Sequence, residues 1–281
     1  MTRQTGQTGQ TQVVGRRCVE IVVLVKRVPD TAEAEIAIDR TGKGIRTDDL
    51  AFDINEWDNF AMEEAVLLKE EHGGSVTAVT LGTEESEEVL RHCIALGADN
   101  AIRIDDPALA GGDAYTTSVA LAAALKKLSF DLVLAGMMAS DDGDGQIGGN
   151  VAQLLGIPHA TQAVGMEVGG GIARVRRELE AGLEEKVELR LPALVTVQTG
   201  INEPRYVPIA GIRRAARKEI SVLSLAELGL SPNEVGVAGS RVELEELLLP
   251  EASEKGEMLE GPTDAVVDQL VGLFAGKGWL R

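Results

Sequence analysis

The stretch GMMASDDGDGQIGG, residues 136–149, has the glycines of a backbone cradle for phosphate, yet it carries Asp141, Asp142 and Asp144 and no Lys or Arg. It follows the strand-like DLVLAGM and precedes NVAQLLGIP, whose apolar spacing is helical. A helix beginning near Gln146 would point its free N–H groups and positive dipole end into the loop, so phosphate could bind there without a basic side chain. In that arrangement Asp144 caps the helix, and Asp141 or Asp142 accepts hydrogen bonds from ribose hydroxyls or loop N–H groups. The spacing matches neither the P-loop nor the Rossmann fingerprint. An ordinary Gly/Asp turn at a strand end is an equal reading of these residues alone.

A second chemical stretch, GINEPRYVPIAGIRRAARKEI at residues 200–220, gathers Arg205, Arg213, Arg214, Arg217 and Lys218 around Pro204 and Pro208. Such a cluster meets an acidic partner, stabilises a helix C-terminus, or is a solvated surface. His72, His92 and His159 assemble with no Ser, Cys or Asp into a catalytic constellation, so no catalytic residue is assigned. Cys18 and Cys93 form no CxxC pattern and read as buried thiols, with no metal site suggested. Trp57 reads as a packing residue whose place at a helix start leaves ligand stacking open.

The elements that must position these residues follow a β-α rhythm. VEIVVLVKRV is a β-branched run too continuous for a half-exposed strand and reads as a central strand of a parallel sheet. A surface hairpin around Gly42 and Gly44, a helix over NEWDNFAMEEAVLLKEEH ended by Gly73–Gly74, and the strand SVTAVTLG come next. The helix TEESEEVLRHCIALG, the strand AIRID, the Ala-rich helix YTTSVALAAALKKL and the strand DLVLAGM complete the alternation. The expected fold is therefore α/β, a doubly wound, mostly parallel, Rossmann-like sheet whose ligands bind beyond the carboxyl ends of the strands. After Pro158, HATQAVGMEV, GIARVRREL, EEKVELRL and PALVTVQT read as added antiparallel strands. The nucleotide-binding domain is expected over residues 18–218. Residues 219–281 read as an extended arm ending in an amphipathic helix, with Val266, Val267, Leu270, Val271 and Phe274 on one face.

Length and composition agree with this outline. A chain of 281 residues with 44% hydrophobic and only 3% aromatic content must build its core from Val, Leu, Ile and Ala. Its net charge of −18 argues against nucleic acid or an anionic membrane as partner. The opening MTRQTGQTGQTQVVGRR, residues 1–17, reads as a disordered tail rather than a signal peptide, and no run is long enough to span a membrane. The cytoplasm is the expected location.

Six segments together resemble the β subunit of the electron-transfer flavoproteins: VKRVPDT (25–31), NEWDNFAMEEAVLLKE (55–70), LGADNAIRI (96–104), DLVLAGMMASDDGDGQIGG (131–149), LGIP (155–158) and NEPRY (202–206). The match runs from about residue 19 to the end. The resemblance implies an α-subunit partner carrying most of a redox FAD site, which this chain helps to cover, and an adenine nucleotide in the chain's own domain. It implies electron transfer with dehydrogenases and a downstream acceptor such as a quinone reductase, the chain acting as a carrier subunit without covalent catalysis. Carried over by position, the nucleotide contacts fall on Leu24, on Asn55, Glu56, Trp57 and Asp58, and on Leu81. The opening loop adds Gly136, Met137, Met138, Ala139, Ser140, Asp141, Asp142, Gly143, Asp144, Gly145, Gln146 and Ile147. The partner-recognition loop falls on Ile201, Asn202, Glu203, Pro204, Arg205 and Tyr206, with Ile201 in the place of an anchoring Leu.

Members that hold AMP tend to have DDD-x-N-x-TG in the opening loop, where this chain has Gly143, Gly145 and Ile147. Members that hold a second FAD and bifurcate electrons tend to have DGDTAQVGP, which DDGDGQIGG is closer to, with Gly149 in place of the Pro. Thr31 stands where some members place an aromatic residue near the α-subunit flavin. The small residues at 143 and 145 favour FAD over AMP. The alternative reading, a stand-alone adenine-nucleotide-binding stress or signalling module, leaves the long arm without a use.

Overall fold

The computed structural model describes residues 18–31, 34, 36–250 and 256–280. The tail expected over residues 1–17 lies outside them. Among the described residues no helix is long and apolar enough to cross a membrane.

Strand β1 (Val19–Leu24) leads through the short β2 (Arg27–Pro29) and β3 (Phe52–Ile54) to helix α1 (Glu56–His72). Then come β4 (Gly74–Leu81), α2 (Glu87–Leu96), β5 (Asn100–Ile104), α3 (Ala114–Leu125), β6 (Leu132–Gly136) and α4 (Ile147–Leu155). Strands β7 (His159–Gly169), β8 (Ile172–Glu178), β9 (Glu184–Arg190) and β10 (Ala193–Val197) follow, then α5 (Ile209–Ala215), β11 (Ser221–Leu223), α6 (Leu225–Leu228), α7 (Gly236–Gly239) and α8 (Thr263–Gly276). Nine strands form one sheet in the order β11-β5-β4-β1-β6-β10-β7-β8-β9.

β1 is central because both of its faces are buried. Ile21 and Val23 face a core with α1 and α2, while Val22 and Leu24 face a second core with α3 and α4. β6 alternates the same way, Leu132 and Leu134 to the first core and Val133 and Ala135 to the second. This two-sided burial is why the strands read as continuous apolar runs.

Two expectations from the sequence change. PALVTVQT was expected to be antiparallel, but β10 runs parallel to β6 and β7 and sits between them. All five of its residues are buried, as a strand covered on both faces requires. Among the described residues, antiparallel pairing occurs in β7-β8-β9, in the small β2-β3 pair and in the isolated Ile38–Ile45 bridge. Cys93 is buried as expected, whereas Cys18, just before β1, is exposed.

Contacts divide the described residues into a body, within 18–37 and 46–244, and a second unit, within 38–45 and 245–280. Residues 221–223, within the stretch assigned to the arm, add β11 to the edge of the body's sheet beside β5. In the second unit, Ile38 and Ile45 bridge across the turn expected at Gly42, and Leu247 N–H donates to the Gly42 carbonyl at 2.7 Å. Helix α8 has no buried residue, and Val267, Leu270, Val271 and Phe274 of its apolar face are exposed.

Candidate functional site

From β1 the chain steps to β4 and β5 on one side, and then returns to β6, β10 and β7 on the other. The direction therefore reverses between β1 and β6, where a doubly wound sheet opens a crevice at its carboxyl edge. A cavity of about 370 Å³ lies there. Its wall takes Leu24 from β1, Leu81 from β4, Asn55 and Asp58 from the start of α1, and Gly136 to Ala139 from the end of β6. Asp142, Asp144, Gly145, Gln146 and Ile147 close it from the loop before α4. Five other residues expected at the ligand, Glu56, Trp57, Ser140, Asp141 and Gly143, lie outside this wall.

The start of α1 builds the floor. Asn55 is buried, its side-chain amide donating to the Met138 carbonyl at 2.9 Å and its side-chain oxygen accepting from Ser140 N–H at 3.2 Å. Asp58 accepts from the N–H of Lys26 and of Gly136, both at 2.8 Å, and so ties the ends of β1 and β6 together. Burial outweighs these bonds and pushes the Asp58 carboxyl up to about 7. Gly136 has no room for a side chain, because a Cβ would stand 2.6 Å from Trp57 Cβ. Trp57 itself packs and donates Nε1–H to Gln198 Oε1 at 2.9 Å.

The acidity of the loop has a partner distant in sequence. Lys26 Nζ donates to Asp141 Oδ1 at 2.6 Å and to Asp142 Oδ2 at 2.7 Å. Burial opposes the charge on Lys26, but the two carboxylates outweigh it and hold its pKa above the ordinary lysine value. Asp142 also accepts from Asp144 N–H at 3.0 Å, which tightens the turn. Gly143 and Gly145 sit at φ of +66° and +62°, so both are required by the left-handed turn. Gly143 has open space around it, so its smallness reflects backbone conformation rather than room for a ligand. The expected Asp144 cap is absent: Gln146 is the N-cap residue of α4, and no side chain caps it. The tight turn at 142–145 makes its bond through Asp142 instead.

A second helix start, missed in the sequence, completes the wall. Gly112, Asp113, Ala114 and Thr117 place the beginning of α3 on the cavity. Asp113 caps that helix, accepting from Thr116 N–H at 2.8 Å, and also accepts from the N–H of Arg241 at 2.6 Å and Val242 at 3.2 Å. Burial works to raise its pKa, but these donors outweigh it and hold the carboxyl below its ordinary value. The signal was present as GGD ahead of the Ala-rich helix, a glycine turn followed by a capping residue.

The loop at residues 201–206 is fixed along α1, from Phe60 to Glu70. Asn202 donates to the Phe60 carbonyl at 3.1 Å and to Glu64 Oε2 at 3.0 Å. Arg205 pairs with Glu70 at 2.7 Å and with buried Glu63 at 2.9 Å, and these carboxylates raise its pKa. Ile201, expected as an exposed anchor, packs against the core. The exposed large apolar residues in and just after this loop are Tyr206 at 99%, Ile209 at 72% and Ile212 at 55%. Part of the basic cluster is structural: Arg214 Nη2 donates to the Ile94 carbonyl at 2.7 Å near the end of α2. Arg213 and Arg217 are exposed.

A family profile described as "Electron transfer flavoprotein domain" matches residues 44–228. An "Electron transfer flavoprotein subunit beta" from Methylophilus methylotrophus is 37% identical over 265 residues, 92% of this chain and 100% of the relative. A protein of the same description from Bacillus subtilis is 40% identical over 257 residues, 91% of this chain and 97% of the relative. The "Caffeyl-CoA reductase-Etf complex subunit CarD" of Acetobacterium woodii is 36% identical over 261 residues, 92% of this chain and 97% of the relative.

Proposed function

The chain belongs to the electron-transfer flavoprotein β-subunit family, and we propose that its cavity holds the adenosine phosphate part of FAD or AMP. The observation that carries this reading is the meeting of the sheet's crevice with the uncapped start of α4, whose N–H groups and dipole favour an anion. At about 370 Å³ the cavity is near the lower end of ligand pockets, about 300–1,000 Å³. That size suits an adenosine phosphate, and the flavin half of an FAD extends beyond it.

The remaining surfaces divide the other work. Tyr206, Ile209 and Ile212, near the exposed Arg213 and Arg217, dock dehydrogenases; their exposure supports them as anchors over the half-buried Ile201. The apolar face of α8 is covered by the FAD-binding α subunit, which burial of Val267, Leu270, Val271 and Phe274 would favour. The redox chemistry is the flavin's; this chain binds, orients and encloses. A second FAD in the cavity would extend the role to electron bifurcation, as resemblance of DDGDGQIGG to bifurcating members suggests.

Denaturing the purified two-subunit complex and identifying the released nucleotides tests this directly. One adenine nucleotide per β chain beyond the α-subunit FAD is expected. A flavin count of two per complex identifies it as FAD, a count of one with AMP released identifies AMP, and no nucleotide beyond the α-subunit FAD overturns the reading.

A further inference from the structure

We propose that Lys26 is a positioning residue of the nucleotide site, neutralising Asp141 and Asp142 so that the loop closes around a phosphate instead of repelling it. The proposal rests on the assignment of the cavity to a nucleotide. Among the described residues, four carboxylates line the cavity, those of Asp58, Asp113, Asp142 and Asp144, and Lys26 is the one basic residue of the lining. Asp58 and Asp113 are each compensated by backbone N–H donors. Asp142, with its neighbour Asp141, has the ammonium of Lys26 as its cationic partner. Without it the loop would set two further negative charges beside the start of α4, cancelling the field that attracts an anion there.

The backbone of Lys26 is held on both sides, which makes this compensation a fixed feature of the site. Its N–H donates to Asp58 Oδ2 at 2.8 Å, and its carbonyl accepts from Asn55 N–H at 2.9 Å. Asn55 in turn holds Met138 and Ser140. Lys26 and Asn55 therefore secure the loop at residues 138, 140, 141 and 142 from one anchored turn after β1. The pairs are partly exposed, so their value lies less in stability than in the potential they set where the phosphate goes.

The test uses the full-length chain in complex with its α subunit, stripped of nucleotide and titrated with AMP, comparing Lys26→Ala, Lys26→Arg and the triple variant Lys26→Ala/Asp141→Asn/Asp142→Asn. Loss of Lys26 should weaken AMP binding about tenfold or more, because it leaves two charges unpaired. The triple variant should recover to within about threefold of the wild type, since the charges Lys26 offsets are then gone. Lys26→Arg should bind as the wild type does, and all variants should keep the wild-type thermal transition. A triple variant as weak as Lys26→Ala would overturn the proposal, showing that Lys26 touches the phosphate itself. AMP binding unchanged in Lys26→Ala would overturn it as well, with the cavity assignment left standing. A wild-type complex that takes up neither AMP nor FAD would overturn the cavity assignment and this proposal together.

Discussion

The loop at residues 136–147 and the loop at residues 201–206 solve opposite electrostatic problems at two places along α1. The first carries excess carboxylates and draws a half-exposed lysine from the end of β1. The second carries an arginine and draws Glu63, buried in α1, together with the exposed Glu70. In the first, the compensating charge stands at the wall of a cavity. In the second one of the two compensating carboxylates is buried, and Tyr206 at the loop's end and Ile209 and Ile212 just after it are exposed. Under the proposed function, the difference separates a loop that receives an anion from one braced so that its neighbours can be presented to another protein.

The largest effect is expected where compensation is buried. Arg205→Ala leaves Glu63 without its arginine and should cost about 2–3 kcal/mol in chemical denaturation, below the range for fully buried pairs because Arg205 is only half-buried. Nucleotide content should be unchanged. A loss of nucleotide with unchanged stability would mean that the two loops are not separately braced.

Next is the proton on Asp58. Its folded pKa of about 7 stands above the ordinary value of 3.8, so the folded state holds the proton more tightly than the unfolded state. This contribution to stability is fully present below about pH 4 and is lost as pH rises through about 7. Denaturation curves at pH 5 and pH 7.5 should show that Asp58→Asn, whatever its overall cost, lacks this part of the pH dependence. Parallel pH profiles for variant and wild type would remove Asp58 as the titrating group.

On the docking side, Ile209→Ala should slow electron transfer from a dehydrogenase by an amount equal to about 1–2 kcal/mol of interface energy, with stability and nucleotide unchanged. Ile201→Ala should instead lower stability, since that side chain packs inward. The reverse pattern would return the anchor to Ile201. The smallest effect is expected at Asp144, which caps nothing: Asp144→Ala should change stability by less than about 0.5 kcal/mol and tighten AMP binding slightly. Weaker binding would restore the cap.

Periodicity made the body of the fold legible, because β1, β4 and β6 are buried on both faces and α1 has a clear glycine stop at Gly73. It did not reveal that β10 is parallel, since PALVTVQT alone does not say which strands it will lie between. The glycines and aspartates of residues 136–147 were legible as a loop at the sheet's ligand edge. The lysine that balances them was not, because the pairing spans 115 positions of sequence and depends on β1 and β6 being neighbours. Asp113 escaped for a similar reason: its capping signal was local, but its place on the cavity follows from α3 and α4 both starting at one edge. The resemblance pointed to residues 201–206, while only the structure shows that Tyr206, Ile209 and Ile212 are the exposed apolar side chains there and just after.

The central claim is that the start of α4 and its left-handed turn receive the phosphate of a nucleotide. Gly145 lies in that turn at φ +62°, with the Met137 carbonyl 3.3 Å from where a Cβ would stand. AMP titration of the two-subunit complex carrying Gly145→Val, freed of any nucleotide in this cavity, is the most direct test. The account predicts that affinity falls by at least about tenfold while the α-subunit FAD and the thermal transition of the complex are retained. Wild-type affinity in the Gly145→Val complex would contradict it.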